Sequence, residues 1–239
     1  MAKNKTKNAA KIHPCRFISL SISSLLMLTE FKFNYWGERR EPHPMQVRDI
    51  LLHHLRVAKI FKSLDFADAS LAPRPEQIFI DLTHWGSLTH DLGKLVIPYF
   101  IHEATKLERA AKLYSDLYNR HPADTILRLG GKDFVRENPL LANLIYYHHP
   151  DVTQPPVGGL SPQRPNHPGF NWALTYLIVA DGIAAANEPK RFYNLDGAAS
   201  QEKTIRIFNY KLAKAGLSGI IDIPKAVTVG YQAFNQIGF

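Results

Sequence analysis

The chain has a single cysteine, Cys15, among 239 residues. That excludes an internal disulfide framework and any cysteine-based zinc knuckle, and it makes a reducing, cytoplasmic interior the expected compartment. No Gly-x-Ser-x-Gly element occurs and the lone thiol lies in a basic tail, so serine or cysteine nucleophilic catalysis is not indicated. The apolar run Phe17 to Leu28 is broken by Ser19, Ser21, Ser23 and Ser24 and falls short of the roughly 20 apolar residues that a bilayer crossing takes. It continues as Thr29-Glu30-Phe31-Lys32, without a small-x-small cleavage site, so neither a secretory signal nor membrane attachment is expected. Alternating strand patterns, internal repeats and low-complexity tracts are also missing from the body of the chain.

What is present is a sizeable apolar fraction, 45%, enough for a real core and incompatible with disorder throughout. The net charge is +8, but Lys3, Lys5, Lys7, Lys11 and Arg16 supply five of those charges before residue 17. The body is only mildly basic, and a solvated tail accounts for most of the excess. A polyanionic partner is compatible with this balance without being required by it.

From Pro44 onward the pattern is helical, which gives the expected fold class: all-α, a compact multi-helix bundle. Val47, Ile50, Leu51, Leu55, Ala58 and Phe61 recur mostly at spacings of three and four, on one helix face that also carries His53. Residues 69–76 read as a Pro-containing loop, and Ile78 to Lys94 resumes a helical pattern toward His90-Asp91 and Gly93, which Pro98 interrupts. Further helices are expected over 99–118, from His121-Pro122 to Gly130-Gly131, from Asn138-Pro139 to His148-His149, over 170–188, and over about 200–216 and 223–236. Residues 150–169 form a long Pro- and Gly-rich loop, of the kind that is either functional or a surface connector. The expected organisation is an extension over 1–28, a main helical domain over 43–192, and C-terminal helices over 193–239 packing on it.

Histidines and carboxylates recur on these helices: His53, His90-Asp91, His121, His148-His149 and Asp181. Neutral imidazoles and anionic oxygens together suit divalent cations. Neighbouring residues on a helix point about 100° apart, so a His-Asp doublet suits a site between helices, with His90 on one cation and Asp91 bridging to a second. His148-His149 is expected to repeat that geometry, while His53, His121 and Asp181 close the cage from other helices. Asp181 sits within Ala173-Leu174-Thr175-Tyr176-Leu177-Ile178-Val179-Ala180 and Gly182-Ile183-Ala184, where a carboxylate is costly unless paired or cation-bound. The alternative for it is an ion pair with a buried arginine or histidine. His13, His43, His54, His84, His102 and His167 read as surface, capping or packing residues.

At these residues the chain resembles the HD-domain superfamily of metal-dependent phosphohydrolases. His53 in His53-His54-Leu55-Arg56-Val57-Ala58 resembles the first histidine, His90-Asp91-Leu92-Gly93-Lys94 the hallmark doublet with its lysine, and Asp181 in Val179-Ala180-Asp181 the last ligand. His121-Pro122, His148-His149 and Leu95-Val96-Ile97-Pro98 bring it closer to the HD-GYP branch, whose members cleave cyclic dinucleotides with two or three iron or manganese ions. In place of the Gly-Tyr-Pro signature stands Gln154-Pro155-Pro156-Val157-Gly158-Gly159-Leu160-Ser161-Pro162, and Pro150 replaces the glutamate expected after the doublet. The ligand order is also similar to that of the HD nuclease of CRISPR interference complexes, which degrades single-stranded DNA, and the patch Lys190-Arg191 accords with that.

The resemblance implies an HD-type bundle spanning about 46–192 with its metal site between helices. It implies hydrolysis of a phosphodiester, either a cyclic dinucleotide or related nucleotide or single-stranded DNA, with His53, His90, Asp91, His121, His148, His149 and Asp181 holding two or three divalent ions (manganese, iron, magnesium or nickel). Two such ions, roughly 3.5–4 Å apart, would activate water and neutralise phosphoryl charge. Asp91 and Lys94 are the expected catalytic residues, with the Lys94 ammonium stabilising a non-bridging oxygen or else serving as a helix C-terminal cation. A binding or signalling module that has kept the fold and lost the activity is the competing class.

Overall fold

The structure, a computed structural model, describes residues 42–67, 74–99, 101, 112–157, 160, 164–188 and 200–237. Among these residues the chain is all-α, without strands. Its elements are α1 (Pro44–Phe66), α2 (Gln77–Thr89), a 3-10 helix (Leu92–Val96), α3 (Lys112–Asn119), α4 (His121–Arg128), α5 (Lys132–Glu137), α6 (Pro139–Tyr147), α7 (Pro168–Asn187), α8 (Gln201–Lys214) and α9 (Ile223–Asn235). Residues 1–28, with Cys15 and His13, lie outside the described residues, as do His102 and the Lys190-Arg191 patch.

α7 is the axis of the bundle. It starts on the His167 N-cap, whose Nδ1 accepts from the Gly169 N–H at 3.1 Å, with Pro168 in the first turn where no N–H is needed. Phe170, Ala173, Leu174, Tyr176, Leu177, Val179, Ala180, Ile183 and Ala184 are all fully buried. A helix apolar on every side must be surrounded, and α7 packs against α1, α2, α6, α8 and α9. By length and composition α7 would also pass for a membrane-crossing helix, but here it is the buried core helix. Phe61 of α1 meets Trp172 and Tyr176 edge-on, at ring separations of 6.2 and 6.3 Å, and Trp172 stacks on Tyr176 at 3.9 Å. These arrangements suit the aromatic quadrupole and fix the crossing of α1 over α7. α8 and α9 contribute Phe208, Leu212, Ala226 and Val227 to the same core.

A second, smaller cluster of Ala123, Ile126, Ile145, Tyr146 and Val157 joins α4 to α6, and a third of Ile50, Leu92 and Leu95 joins α1 to the 3-10 helix. The seam between these clusters and the main core is where the histidines collect.

Two stretches differ from the sequence expectation. The helical pattern expected from Ile78 to Lys94 is broken: α2 stops at Thr89, Asp91 takes φ −106° and ψ 8°, and a tighter 3-10 turn follows. The cause lies in the backbone donors, because the Asp91 N–H is taken by His54 Nε2 at 3.3 Å and the Gly93 N–H by Thr125 Oγ1 at 2.7 Å, so neither continues α2. The segment between Gly131 and Asn138, where no element is expected from sequence, forms the short helix α5, entered through Gly130 and Gly131 at φ 124° and 58°, where only glycine is unstrained.

Candidate metal centre

The seven histidines and aspartates singled out by sequence converge. His53 lies mid-way along α1, His90 caps α2, Asp91 precedes the 3-10 helix, and His121 opens α4. His148 caps α6 and is followed by His149, while Asp181 projects from the second half of α7. They form two groups, His53, His90, Asp91 and Asp181 in the first and Asp91, His121, His148 and His149 in the second. Within each group the candidate ligand atoms lie within 4.8 Å of one another. Every member is buried except His149, which is partly exposed.

Asp91 belongs to both groups and divides its carboxylate between them. Oδ1 faces His121 Nε2 at 2.9 Å and His148 Nε2 at 3.6 Å, and Oδ2 faces His53 Nε2 at 3.4 Å and His90 Nε2 at 3.6 Å. Asp181 Oδ1 completes the first group, 3.1 Å from His53 Nε2 and 3.6 Å from His90 Nε2. The ion pair with a histidine considered for Asp181 is thus present, at the same place as the ligand cluster.

The other ring nitrogens decide what the Nε2 atoms can do. Nδ1 of His90 lies 3.2 Å from the Gly86 carbonyl, that of His121 2.7 Å from Tyr118 O, and that of His148 2.6 Å from Ile145 O. A carbonyl can only accept, so each Nδ1 carries the proton, and the ring in its neutral form presents an Nε2 lone pair to the centre. His53 is held likewise by a side chain, with Glu188 Oε1 2.9 Å from its Nδ1. The Nε2 lone pairs of His90, His121 and His148 and two carboxylates therefore aim at one another, an arrangement that repels unless positive charge stands among them, and the proton on His53 between Asp181 and Glu188 supplies some of it. The Nε2 atoms of His90, His121 and His148 and Oδ1 of Asp91 are buried without hydrogen-bond partners, a costly state for polar groups of this kind. The donor set fits a divalent cation, and either group could hold one.

Protonation follows the same division. Burial pushes the imidazoles of His148, His149 and His121 down, the last to about 4, so the three rings of the second group are neutral at pH 7. Burial alone would raise both aspartates, but the Lys94 ammonium holds Asp91 well below the usual carboxylate range, and His53 does the same for Asp181. His53 is opposite in direction: burial opposes its charge, yet Glu188, Asp181 and Asp91 raise it well above an ordinary histidine. A cation in the first group would compete with that proton for the same carboxylates.

The loop bearing the His-Asp pair is held by uncharged contacts. The Thr125 hydroxyl accepts from the Gly93 N–H and donates to the His90 carbonyl at 2.9 Å, sewing the loop to the helix that begins with His121. A Cβ on Gly93 would stand 2.0 Å from the His121 carbonyl oxygen, so only glycine allows this approach. The Gln46 amide donates to the carbonyls of Lys94 and Ile97, at 2.5 and 2.9 Å. Lys94 itself rests its ammonium on Asp91 Oδ2 and lies 5.3 Å from the centre of the Tyr118 ring.

Three contributors are not named by the sequence reading, Thr125, Gln46 and Glu188, and a fourth, His54, is read from sequence as a surface, capping or packing residue. His54 is no ligand in either group, and its Nε2 fixes the Asp91 backbone instead. Only Glu188 left a usable signal, since it follows Asp181 by seven residues, two helical turns along the same face. His43 and His167 are N-caps, and His84 is exposed, as expected of them. His148 and His149 depart from the expected split, because both serve the second group. α6 ends at Tyr147 before Pro150, and the two rings, freed from helical projection, lie 4.2 Å apart.

No protein-family model matches the chain, and comparisons with curated proteins and with solved structures return no significant match.

Proposed function

We propose that this chain is a metal-dependent phosphohydrolase that cleaves a phosphodiester, each of the two ligand groups holding one divalent cation. The observation that carries the reading is the division of the Asp91 carboxylate, one oxygen toward each group. Two adjacent cations would supply Lewis-acid activation of water and neutralise charge on the phosphoryl oxygens. The first group, with two imidazoles and two carboxylates, and the second, with three imidazoles and the shared carboxylate, suit manganese, iron or nickel better than magnesium, which favours all-oxygen sites.

The remaining roles belong to the chain itself. Lys94, 12% exposed at its side chain, stands at the rim with its ammonium on Asp91. Its donors are in place to turn from that carboxylate to a non-bridging phosphoryl oxygen. His149 is the most open ligand, and Lys211 of α8, 3.7 Å from Asp151, adds positive charge beside it. Positive charge from Lys94 on the first group and from Lys211 near His149 favours an anionic substrate. The buried faces of α1, α2 and α7 keep the remainder of the centre dry, where electrostatic effects are strongest. The ligand order also supports the likeness to HD-domain phosphohydrolases.

The test is hydrolysis by manganese- or iron-loaded protein of bis-p-nitrophenyl phosphate, cyclic dinucleotides and single-stranded DNA, with Asp91→Ala alongside. Loss of bis-p-nitrophenyl phosphate hydrolysis in the variant is expected. Cleavage of DNA without cyclic dinucleotides would assign a nuclease. Wild type equal to Asp91→Ala on all three would sink the enzyme and leave a binding module.

A further inference from the structure

Three of the four histidines with an assigned tautomer borrow a main-chain acceptor close by in sequence: His90 from Gly86, and His121 and His148 from the carbonyls three residues back. They can do so because each stands at a helix end, where the chain changes direction. His53 cannot, since it lies in the interior of the 23-residue α1, where carbonyls are consumed by the helix ladder. Its Nδ1 is met by Glu188, one residue beyond the end of α7.

Glu188 is in turn held by Arg56, one turn along α1 from His53, whose Nη1 lies 3.2 Å from the same Oε1. The Arg56 guanidinium sits 5.8 Å from the centre of the Phe234 ring in α9. Glu188 is thus fixed from α1 by two side chains, with its Oε1 on the one Nδ1 of the first group that no main chain serves.

We infer that Glu188 is a positioning residue that selectively sets the cation affinity of the first ligand group, by holding the His53 Nδ1–H so that Nε2 faces Asp91 and Asp181. The inference rests on the reading of the cluster as a metal centre. Carboxylates hydrogen-bonded to a liganding imidazole commonly change metal affinity by about 10- to 100-fold when removed. Nothing ties Glu188 to His121, His148 or His149, so the second group keeps its ion.

Equilibrium dialysis of the metal-stripped full chain against Mn²⁺ tests this, with bound manganese counted by elemental analysis and folding followed by circular dichroism. Wild type binds two ions. E188A weakens one of them about 10- to 100-fold and leaves the other within about threefold, as expected for loss of a carboxylate behind one ligand. E188Q, whose amide oxygen still accepts from Nδ1, restores most of the loss. H149A removes the other ion while Glu188 stays in place, which identifies the one that Glu188 governs. If E188A does not fold, E188D, one methylene shorter, carries the same comparison. Unchanged affinity at both sites in whichever variant folds, equal losses at both, or E188Q as weak as E188A overturns the role of Glu188. A wild-type chain that binds no Mn²⁺ overturns the metal centre itself.

Discussion

If Asp91 gives one oxygen to each ligand group, its replacement must cost both cations, whereas replacement of Asp181 must cost one. Asp91→Asn keeps the side-chain shape but removes the charge and one of the two acceptor oxygens. A ligand that binds only the folded chain stabilises it by about 2.7 kcal/mol when present at 100 times its Kd. Two ions therefore add about 5 kcal/mol, and at roughly 2–4 °C per kcal/mol for a domain of this size the melting temperature rises by about 10–20 °C. The quantity to measure is the rise on adding Mn²⁺ to each metal-stripped variant, by calorimetry. Differences in stability without metal, which Asp91→Asn will certainly cause through its contacts with Lys94 and four histidines, cancel in that comparison. Wild type should show the full rise, Asp181→Asn about half, and Asp91→Asn almost none. Equal rises in Asp91→Asn and Asp181→Asn would refute the shared carboxylate, and a full rise in Asp91→Asn would refute its part in the centre altogether.

Other substitutions probe the frame around the centre. Gly93→Ala places a Cβ against the His121 carbonyl at 2.0 Å, and overpacking of this kind costs about 1–3 kcal/mol or more; urea denaturation should show it, together with a loss of bound metal, and unchanged stability would mean the approach is not tight. Thr125→Val strands the Gly93 N–H and the His90 carbonyl, for about 1–3 kcal/mol for each buried group left unsatisfied. Thr125→Ser, which keeps the hydroxyl, should restore most of it, and equal stability of the two variants would count against the relay. Leu177→Ala removes a fully buried side chain from α7 and should cost about 2–5 kcal/mol; a cost below about 1 kcal/mol would show that α7 is not the axis of the core.

Much of this arrangement is legible in the sequence because it depends on residue type and helical period. Proline at the starts of α4, α6 and α7, paired glycines after α4 and an apolar run around Asp181 each state a local preference that tertiary packing then respects. The ligands are legible for a related reason: histidines beside helix ends and a carboxylate in an apolar helix are expensive to bury without a purpose. The break at His90-Asp91 is not legible, because its cause is remote. His54 and Thr125, 37 and 32 residues away from the donors they engage, take the N–H groups that would have continued α2. No periodicity in the local window contains that information.

The same distinction explains why Glu188 escaped notice while Asp181 did not. Asp181 is anomalous where it stands, an ionised side chain among residues that exclude water. Glu188, the C-cap of the same helix, is an ordinary surface-type residue until α1 is laid beside it. Only then do His53 and Arg56, three residues apart on α1, meet Asp181 of α7 and its C-cap Glu188, seven residues further on. Both spacings return to one helix face, so the two pairs stand opposite each other across a single contact. Ligands can be read from what is anomalous within one segment, whereas the groups that orient them become visible only as pairs of spacings on two packed helices. A paired search of that kind would have found Glu188 from sequence, once α1 and α7 were known to be neighbours.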